Sequence, residues 1–581
     1  MGTTVGRIIE VNGLKIKAKL FELLPPYLTT NGKRESSPKI NAYVKTKIGV
    51  DTIICQVDGE YSVEKEDKVD SHYLDLSVKG YLDNGTFIQG LRVLPIVSAN
   101  IELLEECDLR CIYSDKNNFD LELGHDIFDE SKIIRVSLNK LIPSHIGVFG
   151  NTGSGKSNTI AKILSSYSDA LSASTKQAAK FVVIDLNNEY GGNAICNNEC
   201  KVIYKLSTRK DSEKKIPLNL DSLSEDDFVV LMNASQKTQV PVVKTAYRSM
   251  KEDHETGYYL NYLKSVIKNS RRALLNSIRH HLEKYIDGLE PLKWHSKAQK
   301  YYFEVDGQKH YCENEDGEKY LDKLVINVPS DPLDRFVFEL YFAIAKENEN
   351  GVNIDFIMPL ASRAQKLVDD FKKIFDFSGN FENLFDNKSK NIAIIQLANV
   401  NKDMKEIIPS IIATNIFKKL QEVKEDKDSI SQIVSIVVDE AHNILYEGDS
   451  SKPTHATVLE SFEKVVKEGR KFGVFLMLAS QRPSDISPTI ISQLHNYFIH
   501  KLVNPSDISI IRKAVAYMDD KAMDFVTILS PGECIVSGTA FQMPLFVCVS
   551  QLESIKRPKS ENVVLFGEGG LLQCEDLEKT F

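Results

Sequence analysis

Alternating apolar and polar residues mark the first hundred positions of the chain. Residues 5–19, 48–55 and 91–97 alternate in this way, and Asp83-Asn84-Gly85 supplies a turn. A period of two places alternate side chains on one buried face, and several short strands at even spacing are typical of a small barrel. The pattern therefore predicts an N-terminal β-barrel over residues 1–105.

From about residue 140 the apolar residues form continuous runs, separated by stretches with helical periodicity. Such runs are typical of strands covered on both faces, and their alternation with helices is typical of a parallel α/β sheet. The predicted central strands are residues 145–149, 181–185, 391–397, 433–439 and 473–480.

A long insertion separates the second and third of these strands. Within it, residues 260–285 and 336–346 have helical periodicity, and residues 301–311 predict a hairpin. We therefore expect an α/β protein with five segments. These are a barrel (1–105), the first part of the sheet domain (106–221), a mostly helical insertion (222–385), the second part of the sheet domain (386–550) and a C-terminal tail (551–581).

Composition narrows the class of protein. The 581 residues are 42% hydrophobic, which is sufficient for two or three domains, and the formal net charge of -9 gives no overall basic signature for nucleic acid. A local positive lining of a channel remains compatible with that charge. No secretory signal and no apolar run long enough for a bilayer is present, so we expect a cytoplasmic protein without membrane contact.

Nine cysteines, an odd number, indicate free thiols in a reducing cytosol. Two pairs, Cys107 with Cys111 and Cys196 with Cys200, are each four residues apart, but neither has histidine partners at zinc-site spacing. We expect structural cysteines rather than a metal site.

Residues 150–157 form a complete G-x-x-x-x-G-K-[ST] phosphate-binding loop, between a predicted strand and a predicted helix. Its glycines allow backbone N–H groups to point at phosphates, Lys156 reaches the β and γ oxygens, and the Ser157 hydroxyl is a ligand for Mg²⁺. We predict that ATP is bound by Gly150, Asn151, Thr152, Gly153, Ser154, Gly155, Lys156, Ser157 and Asn158.

Two carboxylates follow the predicted strand at residues 433–439. Asp439 can hold Mg²⁺ through water, and Glu440 stands next to it as the base or water-orienting group that hydrolysis needs. Gln481 and Glu189 each follow a predicted strand and are candidates for the γ-phosphate and water side of the site, or for loop solvation alone. Arg470 is either an arginine finger delivered by a neighbouring subunit or a surface charge, and the residues leave both open.

Together these residues resemble the HerA branch of the HerA/FtsK hexameric DNA translocases. The resemblance rests on four blocks besides the barrel: residues 150–159, 184–190, 438–443 with 468–473 and 480–484, and the strand pair that begins at residues 532–538. It implies a RecA-like P-loop ATPase core, an N-terminal HAS-barrel and a homo-hexameric ring that moves along double-stranded DNA. It also implies Glu440 as catalytic carboxylate, Gln481 as sensor and Arg470 as inter-subunit finger.

Residues 186–188 depart from the family pattern, which often has Pro-His-Gly before Glu-Tyr, so the resemblance does not extend to the residues just before Glu189. The family resemblance further implies a separate nuclease or sirtuin-like effector that docks on the barrel, in DNA end processing or anti-phage defence. No nuclease constellation is found in this chain. Three alternatives stay open: a nucleotide-gated scaffold for an effector, a protein-remodelling ATPase, and an ABC-type ATPase, which the lack of Leu-Ser-Gly-Gly-Gln disfavours.

Overall fold

The computed structural model contains an antiparallel barrel followed by a large mixed sheet with helices on both faces. It describes residues 3–22, 24–25, 27–30, 33–65, 68–113, 120–172, 179–234, 238–252, 254–271, 275, 279–349, 352–379, 381–386, 390–427, 429–430, 432–447, 453–515, 518 and 520–559.

The N-terminal strands close into a six-stranded barrel. Its order is β2-β1-β9-β5-β6-β7, closed by antiparallel pairing of β2 with β7, while β8 extends from β7 and β3 pairs only with β4. The strands are β1 (Thr4–Asn12), β2 (Lys15–Leu20), β3 (Tyr27–Thr30), β4 (Lys33–Ser36), β5 (Tyr43–Ile48), β6 (Asp51–Lys65), β7 (Lys68–Asp83), β8 (Thr86–Gln89) and β9 (Asn100–Leu103).

This arrangement confirms the predicted barrel but corrects two of the predicted strands. Residues 48–55 contain a hairpin turn, with Gly49 at a φ of 61° between β5 and β6. Residues 91–97 form no strand. Pro95 lies in that segment and lacks the N–H that a ladder requires, so the alternating residues there belong to a loop.

The next segment leads into the sheet domain. Its elements are α1 (Glu106–Tyr113), β10 (Asp120–Asp126), β11 (Ile133–Ser137), α2 (Leu138–Leu141), β12 (Ile146–Phe149), α3 (Lys156–Ser172), β13 (Ala179–Asp185) and β14 (Lys201–Ser207).

The insertion then follows, with helices and short strand pairs. Its elements are β15 (Ile216–Pro217), α4 (Glu225–Leu231), α5 (Gln239–Lys251), α6 (Thr256–Lys268), β16 (Ile286–Asp287), β17 (Leu292–His295), β18 (Lys300–Val305), β19 (Gln308–Tyr311), α7 (Glu315–Leu321), β20 (Val325–Ile326), α8 (Pro332–Glu349), α9 (Ile354–Ile374) and β21 (Phe375–Asp376).

The hairpin predicted at residues 301–311 is β18 and β19, and the helix predicted at residues 336–346 lies within α8. Residues 260–285 are helical in two parts, α6 and a second stretch that includes residues 279–282, with a break between them. Helix α6 ends at Lys268, and Ser270 adopts a left-handed φ of 52°, which a continuing helix does not tolerate.

The second part of the sheet domain completes the fold. Its elements are β22 (Ile392–Asn399), α10 (Lys402–Lys427), β23 (Ile433–Val438), α11 (Pro453–Glu468), β24 (Val474–Ser480), α12 (Pro488–Ser492), β25 (Asn496–Ile499), α13 (Pro505–Ala514), α14 (Asp520–Phe525), β26 (Glu533–Gly538) and β27 (Leu545–Val549).

The large sheet has eleven strands in the order β11-β10-β27-β26-β25-β12-β24-β23-β13-β22-β14. The seven strands from β25 to β14 are parallel, and the other four are antiparallel. All five predicted central strands lie side by side within the parallel part. Their carboxyl ends therefore meet at one edge, where α/β proteins bind ligands.

Both faces of this sheet are buried, as the continuous apolar runs predict. Along β13, Val182 and Ile184 pack into the core shared with the insertion helices, and Phe181 and Val183 pack into the core that contains α3. The sheet is thus the rigid platform from which the loops at its carboxyl edge project.

The cysteines differ from the sequence-based expectation at one place. Cys196 and Cys200 form a disulfide, whereas the other cysteines of the described chain are free. The two half-cystines lie in the loop between β13 and β14, which curls on itself through Ile195 at a φ of 70°. Spacing alone does not reveal that curl. None of the described helices is long and apolar enough to cross a membrane.

Candidate nucleotide-binding and hydrolysis site

The phosphate-binding loop lies between β12 and α3, in the middle of the parallel strands. The N–H of Gly150 donates to the Ser480 carbonyl at 3.2 Å, and the N–H of Asn151 donates to the Lys501 carbonyl at 2.9 Å. Gly153 and Gly155 have φ angles of 74° and 115°, a region that favours glycine. The neighbouring strands therefore fix the entry to the loop, and its glycines permit the tight turn.

Lys156 begins helix α3 and is almost completely buried. Its Nζ donates to the carbonyl of Asn151 at 3.0 Å, so the ammonium lies against the loop itself. Burial lowers the pKa of Lys156, and three nearby carboxylates oppose that shift. These belong to Glu440, Asp439 and Glu189. The structure thus places three predicted acidic residues around the predicted lysine.

Asp439 follows β23 and is buried. Its Oδ2 accepts a hydrogen bond from the Tyr190 hydroxyl at 3.1 Å, and its Oδ1 accepts from the Glu440 N–H at 2.9 Å. Burial, followed by the negative charges of Glu189 and Glu440, raises the pKa of Asp439 to about 7. A cation at this position would stabilise the ionised carboxylate, which is the form a metal ligand needs.

Glu440 adopts a left-handed backbone conformation, with φ 48° and ψ 46°. Such a conformation is costly for a residue with a Cβ and is concentrated at functional sites. The Glu440 Oε2 is buried without a hydrogen-bond partner in the described chain, although His442 Nδ1 lies 3.3 Å away in poor geometry. Burial raises the pKa of Glu440, the charge of Lys156 opposes the rise, and Glu189 adds to it. The Glu440 Oε2 is thus a buried hydrogen-bond acceptor to which no described residue donates.

Glu189 lies in the turn after β13. Asp185 organises this turn, because its carboxylate accepts from the N–H groups of Glu189 at 2.9 Å and Tyr190 at 3.1 Å. Gln396 Nε2 donates to the same carboxylate at 3.2 Å. The Glu189 Oε2 is also buried without a hydrogen-bond partner among the described residues. The turn therefore brings Glu189 to the acidic side of the site.

Gln481 follows β24 and touches the phosphate loop directly. The Thr152 hydroxyl donates to Gln481 Oε1 at 2.6 Å. Beside this pair, the buried Ser154 Oγ has no hydrogen-bond partner in the part of the chain that the structure describes. The predicted sensor and the predicted loop are thus brought into direct contact.

Arg470 is the predicted site residue that the structure does not bring to this edge. It lies exposed in the 3₁₀ turn Gly469–Lys471, before β24, whereas Gln481 follows the same strand. Seven residues of strand separate the two positions by roughly 20 Å. Burial, and then the charge of Arg470, lowers the pKa of His495, which precedes β25 at the same far edge. Arg470 is therefore remote from the phosphate loop of its own chain.

Sequence reasoning missed three residues that support the site. These are Tyr190 beside Asp439, His442 beside Glu440, and His500 behind the phosphate loop. The signal for the first two was their place in the quoted motif blocks. For His500 it was a polar residue immediately after a buried strand.

His500 links the phosphate loop to the antiparallel part of the sheet. Its Nδ1 lies 2.8 Å from the Glu533 carbonyl, which can only accept, so Nδ1 carries the proton and Nε2 accepts from the Thr159 hydroxyl at 3.0 Å. Burial lowers the pKa of His500 to about 4. The neutral ring therefore fixes the first turn of α3 from behind.

The donor set fits magnesium and a triphosphate. Among the described residues no three His, Cys, Asp or Glu side chains converge as a ligand cluster. Mg²⁺ is ordinarily held by one or two protein oxygens together with substrate phosphates, and Asp439 with Ser157 can supply that number. Glu440, next to Asp439, adds a buried carboxylate oxygen that has no hydrogen-bond partner among the described residues.

A phosphate loop on a central parallel strand, with paired carboxylates on a nearby strand, defines a P-loop ATPase. Two family models match this chain. "Helicase HerA, central domain" matches residues 121–416, and "Helicase HerA-like C-terminal" matches residues 382–560. The chain belongs to the HerA helicase family and is a helicase-type ATPase, which confirms the resemblance drawn from its motifs.

Curated relatives are similar over most of their length. The "DNA double-strand break repair helicase HerA" of Sulfurisphaera tokodaii is 23% identical, over 91% of this chain and 83% of its own. "Probable helicase MJECL08" of Methanocaldococcus jannaschii is 24% identical, over 92% and 88%.

Two solved structures also align. VirB4 of Thermoanaerobacter pseudethanolicus aligns over 76% of this chain and 99% of its own (TM-score 0.42, 13% identity), and the bacterial conjugative coupling protein TrwBdeltaN70 over 78% and 94% (0.41, 11%).

Proposed function

We propose that this ATPase is a homo-hexameric motor that uses ATP and Mg²⁺ to move along double-stranded DNA. Membership of the HerA helicase family supports the motor, and the similarity to the Sulfurisphaera tokodaii DNA double-strand break repair helicase supports DNA as its track. One structural observation supports the proposal of a ring. The hydrolysis site of each chain lacks Arg470, which lies exposed at the opposite edge of the same sheet.

Within one chain, the residues at the sheet edge divide the work of hydrolysis. The loop N–H groups and Lys156 hold the phosphates, and Thr152 positions Gln481 where it would meet the γ-phosphate. Mg²⁺, held by Ser157 and Asp439, would neutralise phosphate charge. Glu440 Oε2 accepts a proton from the attacking water and orients it. Glu189 borders this water side, where its charge raises the pKa of Glu440.

The missing positive charge comes from the next copy. An arginine stabilises the charge that spreads over the transferring phosphoryl group, and an exposed arginine on the far edge of the sheet can reach the site of an adjacent subunit. Closed rings repeat one heterologous contact, so each copy both receives and donates Arg470. The residues alone left finger and surface charge open, and an exposed position remote from the chain's own site is what delivery to another copy requires.

We also propose that the barrel docks a separate effector, a nuclease or a sirtuin-like enzyme, in end processing or anti-phage defence. The barrel carries exposed apolar side chains that no described element covers, including Leu91, Ile96 and Val97, at 50%, 58% and 54% exposure. Exposed apolar patches are typical of protein interaction sites.

The test is ATP turnover by the purified ring with and without duplex DNA, together with displacement of streptavidin from a biotinylated duplex. The account predicts stimulation by DNA and displacement that requires ATP, both lost in Lys156→Ala. Native mass spectrometry should give six copies. A nucleotide-gated scaffold would instead be stimulated by its effector and would leave the streptavidin in place, which would contradict the proposal.

A further inference from the structure

A polar cleft of about 700 Å³ lies where the insertion meets the sheet domain. One wall is formed by residues at and just after the carboxyl ends of β14 and β22, and the other by helix α9 of the insertion. The cleft is at the carboxyl edge of the sheet, as is the hydrolysis site, but at the outermost parallel strands. None of its lining residues belongs to the hydrolysis site described above.

Two cations in this cleft are unengaged. Arg209, after β14, and Lys366, on α9, are both exposed, and neither side chain makes an ion pair or hydrogen bond within the described chain. Lys373 differs, because its Nζ donates to the Thr208 carbonyl at 3.0 Å and lies 3.2 Å from Asp370 Oδ1. The cleft thus presents two free positive charges from two separate elements.

The acidic side chains of the cleft are largely occupied. Asp370 is buried, and its Oδ2 accepts from Asn401 Nδ2 at 2.8 Å, in addition to the contact with Lys373. Asp369 is exposed, and its Oδ1 accepts from Gln365 Nε2 at 2.9 Å. The lining therefore carries a net positive charge, from three cations (Arg209, Lys366 and Lys373) and two carboxylates (Asp369 and Asp370). The two cations without a partner in the described chain are Arg209 and Lys366.

The rest of the lining suits phosphate and sugar rather than a base. Asn399 offers an amide donor, whereas the Ser362 hydroxyl already donates to the Met358 carbonyl at 3.3 Å and one Asn401 N–H is taken by Asp370; hydroxyl and amide groups, together with Arg and Lys, are the groups that contact nucleic-acid backbones. The described lining contains no aromatic ring on which a base or a nucleoside could stack. A ligand with repeated phosphates and no need of base recognition fits this chemistry.

From this arrangement we infer that the cleft binds the phosphodiester backbone of nucleic acid, as a site on the motor where the strand is gripped. The inference rests on the proposed function, since it takes DNA as the track. It adds what the motifs did not supply, namely which residues of the insertion and of the sheet domain contact the strand.

A short chain of contacts joins the cleft to the hydrolysis site. Ala398 lines the cleft, and its N–H donates to Asn188 Oδ1 at 3.4 Å. Asn188 is in the turn that carries Glu189, and Gln396 of the same strand donates to Asp185 in that turn. A nucleic-acid strand bound in the cleft therefore contacts the end of β22. The same end of β22 is hydrogen-bonded to the turn that carries Glu189.

The test is binding of a fluorescent 30-base-pair duplex by the full chain with a non-hydrolysable ATP analogue, at several KCl concentrations. We expect R209A/K366A to weaken binding by roughly 10- to 100-fold and to reduce the slope of log affinity against log salt by about two, one for each lost phosphate contact. The matched control is Lys210→Ala, an exposed neighbour outside the cleft, which should bind as the wild type does. The charge-preserving R209K/K366R should restore most of the affinity.

Each outcome decides one claim. If the wild type binds the duplex and R209A/K366A shows the same affinity and the same salt slope, the cleft is not the binding site. That result would not affect the proposal that the protein is a DNA motor. Absence of duplex binding by the wild type would overturn the proposed function itself. Free ATP is the other source of phosphate. If the Lys156→Ala variant still binds ATP, if that binding requires Arg209 and Lys366, and if duplex affinity does not depend on these two residues, the cleft is a nucleotide site and the inference is wrong.

A separate variant tests the contact between the cleft and the hydrolysis site. Asn188 has a φ of 63°, which glycine also adopts, so Asn188→Gly removes the amide acceptor without backbone strain. This variant should keep duplex affinity and lose at least half of the DNA stimulation of ATP turnover. Full stimulation with unchanged affinity would show that the Ala398 contact does not transmit occupancy of the cleft.

Discussion

The Tyr190 hydroxyl donates to Oδ2 of Asp439 at 3.1 Å and thereby joins the turn after β13 to the end of β23. Tyr190 is fully buried, and its backbone N–H is held by Asp185. The bond therefore orients the carboxylate that we assign to Mg²⁺ from a rigid position. Partners of this kind set the geometry and affinity of a metal ligand.

Replacing Tyr190 by Phe removes this donor and keeps the ring. We expect the Mg²⁺ concentration that half-saturates ATP turnover to rise roughly tenfold, since loss of such a supporting bond typically costs 10- to 100-fold in metal affinity. Stability should fall by about 1 kcal/mol, because a buried acceptor loses its bond. Titration of ATPase activity with MgCl₂ and thermal unfolding measure the two effects.

Tyr204→Phe is the matched control. Tyr204 is also buried, and its hydroxyl donates to the Leu384 carbonyl at 2.8 Å rather than to a carboxylate of the hydrolysis site. It should lose similar stability with no change in Mg²⁺ requirement. An equal shift in Mg²⁺ requirement for both variants would show that the Tyr190 bond has no specific role at Asp439.

Glu440 and Lys156 separate hydrolysis from nucleotide binding. Glu440→Gln removes the base but keeps the size of the side chain, so turnover should fall by roughly 10²- to 10⁴-fold with ATP affinity within a few-fold of wild type. Lys156→Ala should weaken affinity and turnover together. Fluorescent-nucleotide titration and steady-state turnover measure both, and a Glu440→Gln enzyme within tenfold of wild-type turnover would refute the assignment of the base.

Because the pKa of His145 is lowered in the folded protein, we expect the free energy of unfolding to decrease in mild acid. Burial, followed by the charge of His495, lowers the pKa of His145 to about 3, while Nδ1 accepts from the Leu476 N–H at 3.0 Å. The unfolded chain, with a pKa near 6.5, therefore binds the extra proton. The contribution to the free energy of unfolding is complete above about pH 6.5 and is lost at about 1.4 kcal/mol per pH unit as the pH falls toward 3.

His145→Asn keeps an acceptor for the Leu476 N–H and removes the titrating ring. Urea unfolding between pH 7 and 4.5 should show a shallower dependence on pH in this variant than in the wild type. The control is His280→Asn, which makes the same replacement at an exposed histidine. Equal reduction of the slope by both variants would contradict the assignment to His145.

Local patterns were sufficient for the centre of the fold and of the site. The runs at β12, β13, β22, β23 and β24 are buried on both faces, so their apolar continuity predicted them, and the phosphate loop followed from its spacing. Parallel strands place their carboxyl ends at one edge, which brought Lys156, Asp439 and Gln481 together without further information.

Other features depend on contacts between distant segments, which periodicity does not contain. Helix α6 ends at Lys268, Ser270 is left-handed, and helix is present again at residues 279–282, a break that the periodicity does not show. The place of His500 behind the phosphate loop requires the pairing of β25 with both β12 and β26. The cleft of Arg209 and Lys366 forms only when α9 packs beside the ends of β14 and β22.

The central claim is that each hydrolysis site is completed by Arg470 of the adjacent copy, and mixing two inactive variants tests it most directly. Arg470→Ala keeps Glu440, and Glu440→Gln keeps Arg470, so in rings mixed one to one about a quarter of the interfaces would be intact. The account predicts that each variant alone is inactive and that mixed rings regain DNA-stimulated ATP turnover toward that fraction. Mixed rings that remain as inactive as the separate variants, or an Arg470→Ala ring that hydrolyses ATP at the wild-type rate, would contradict it.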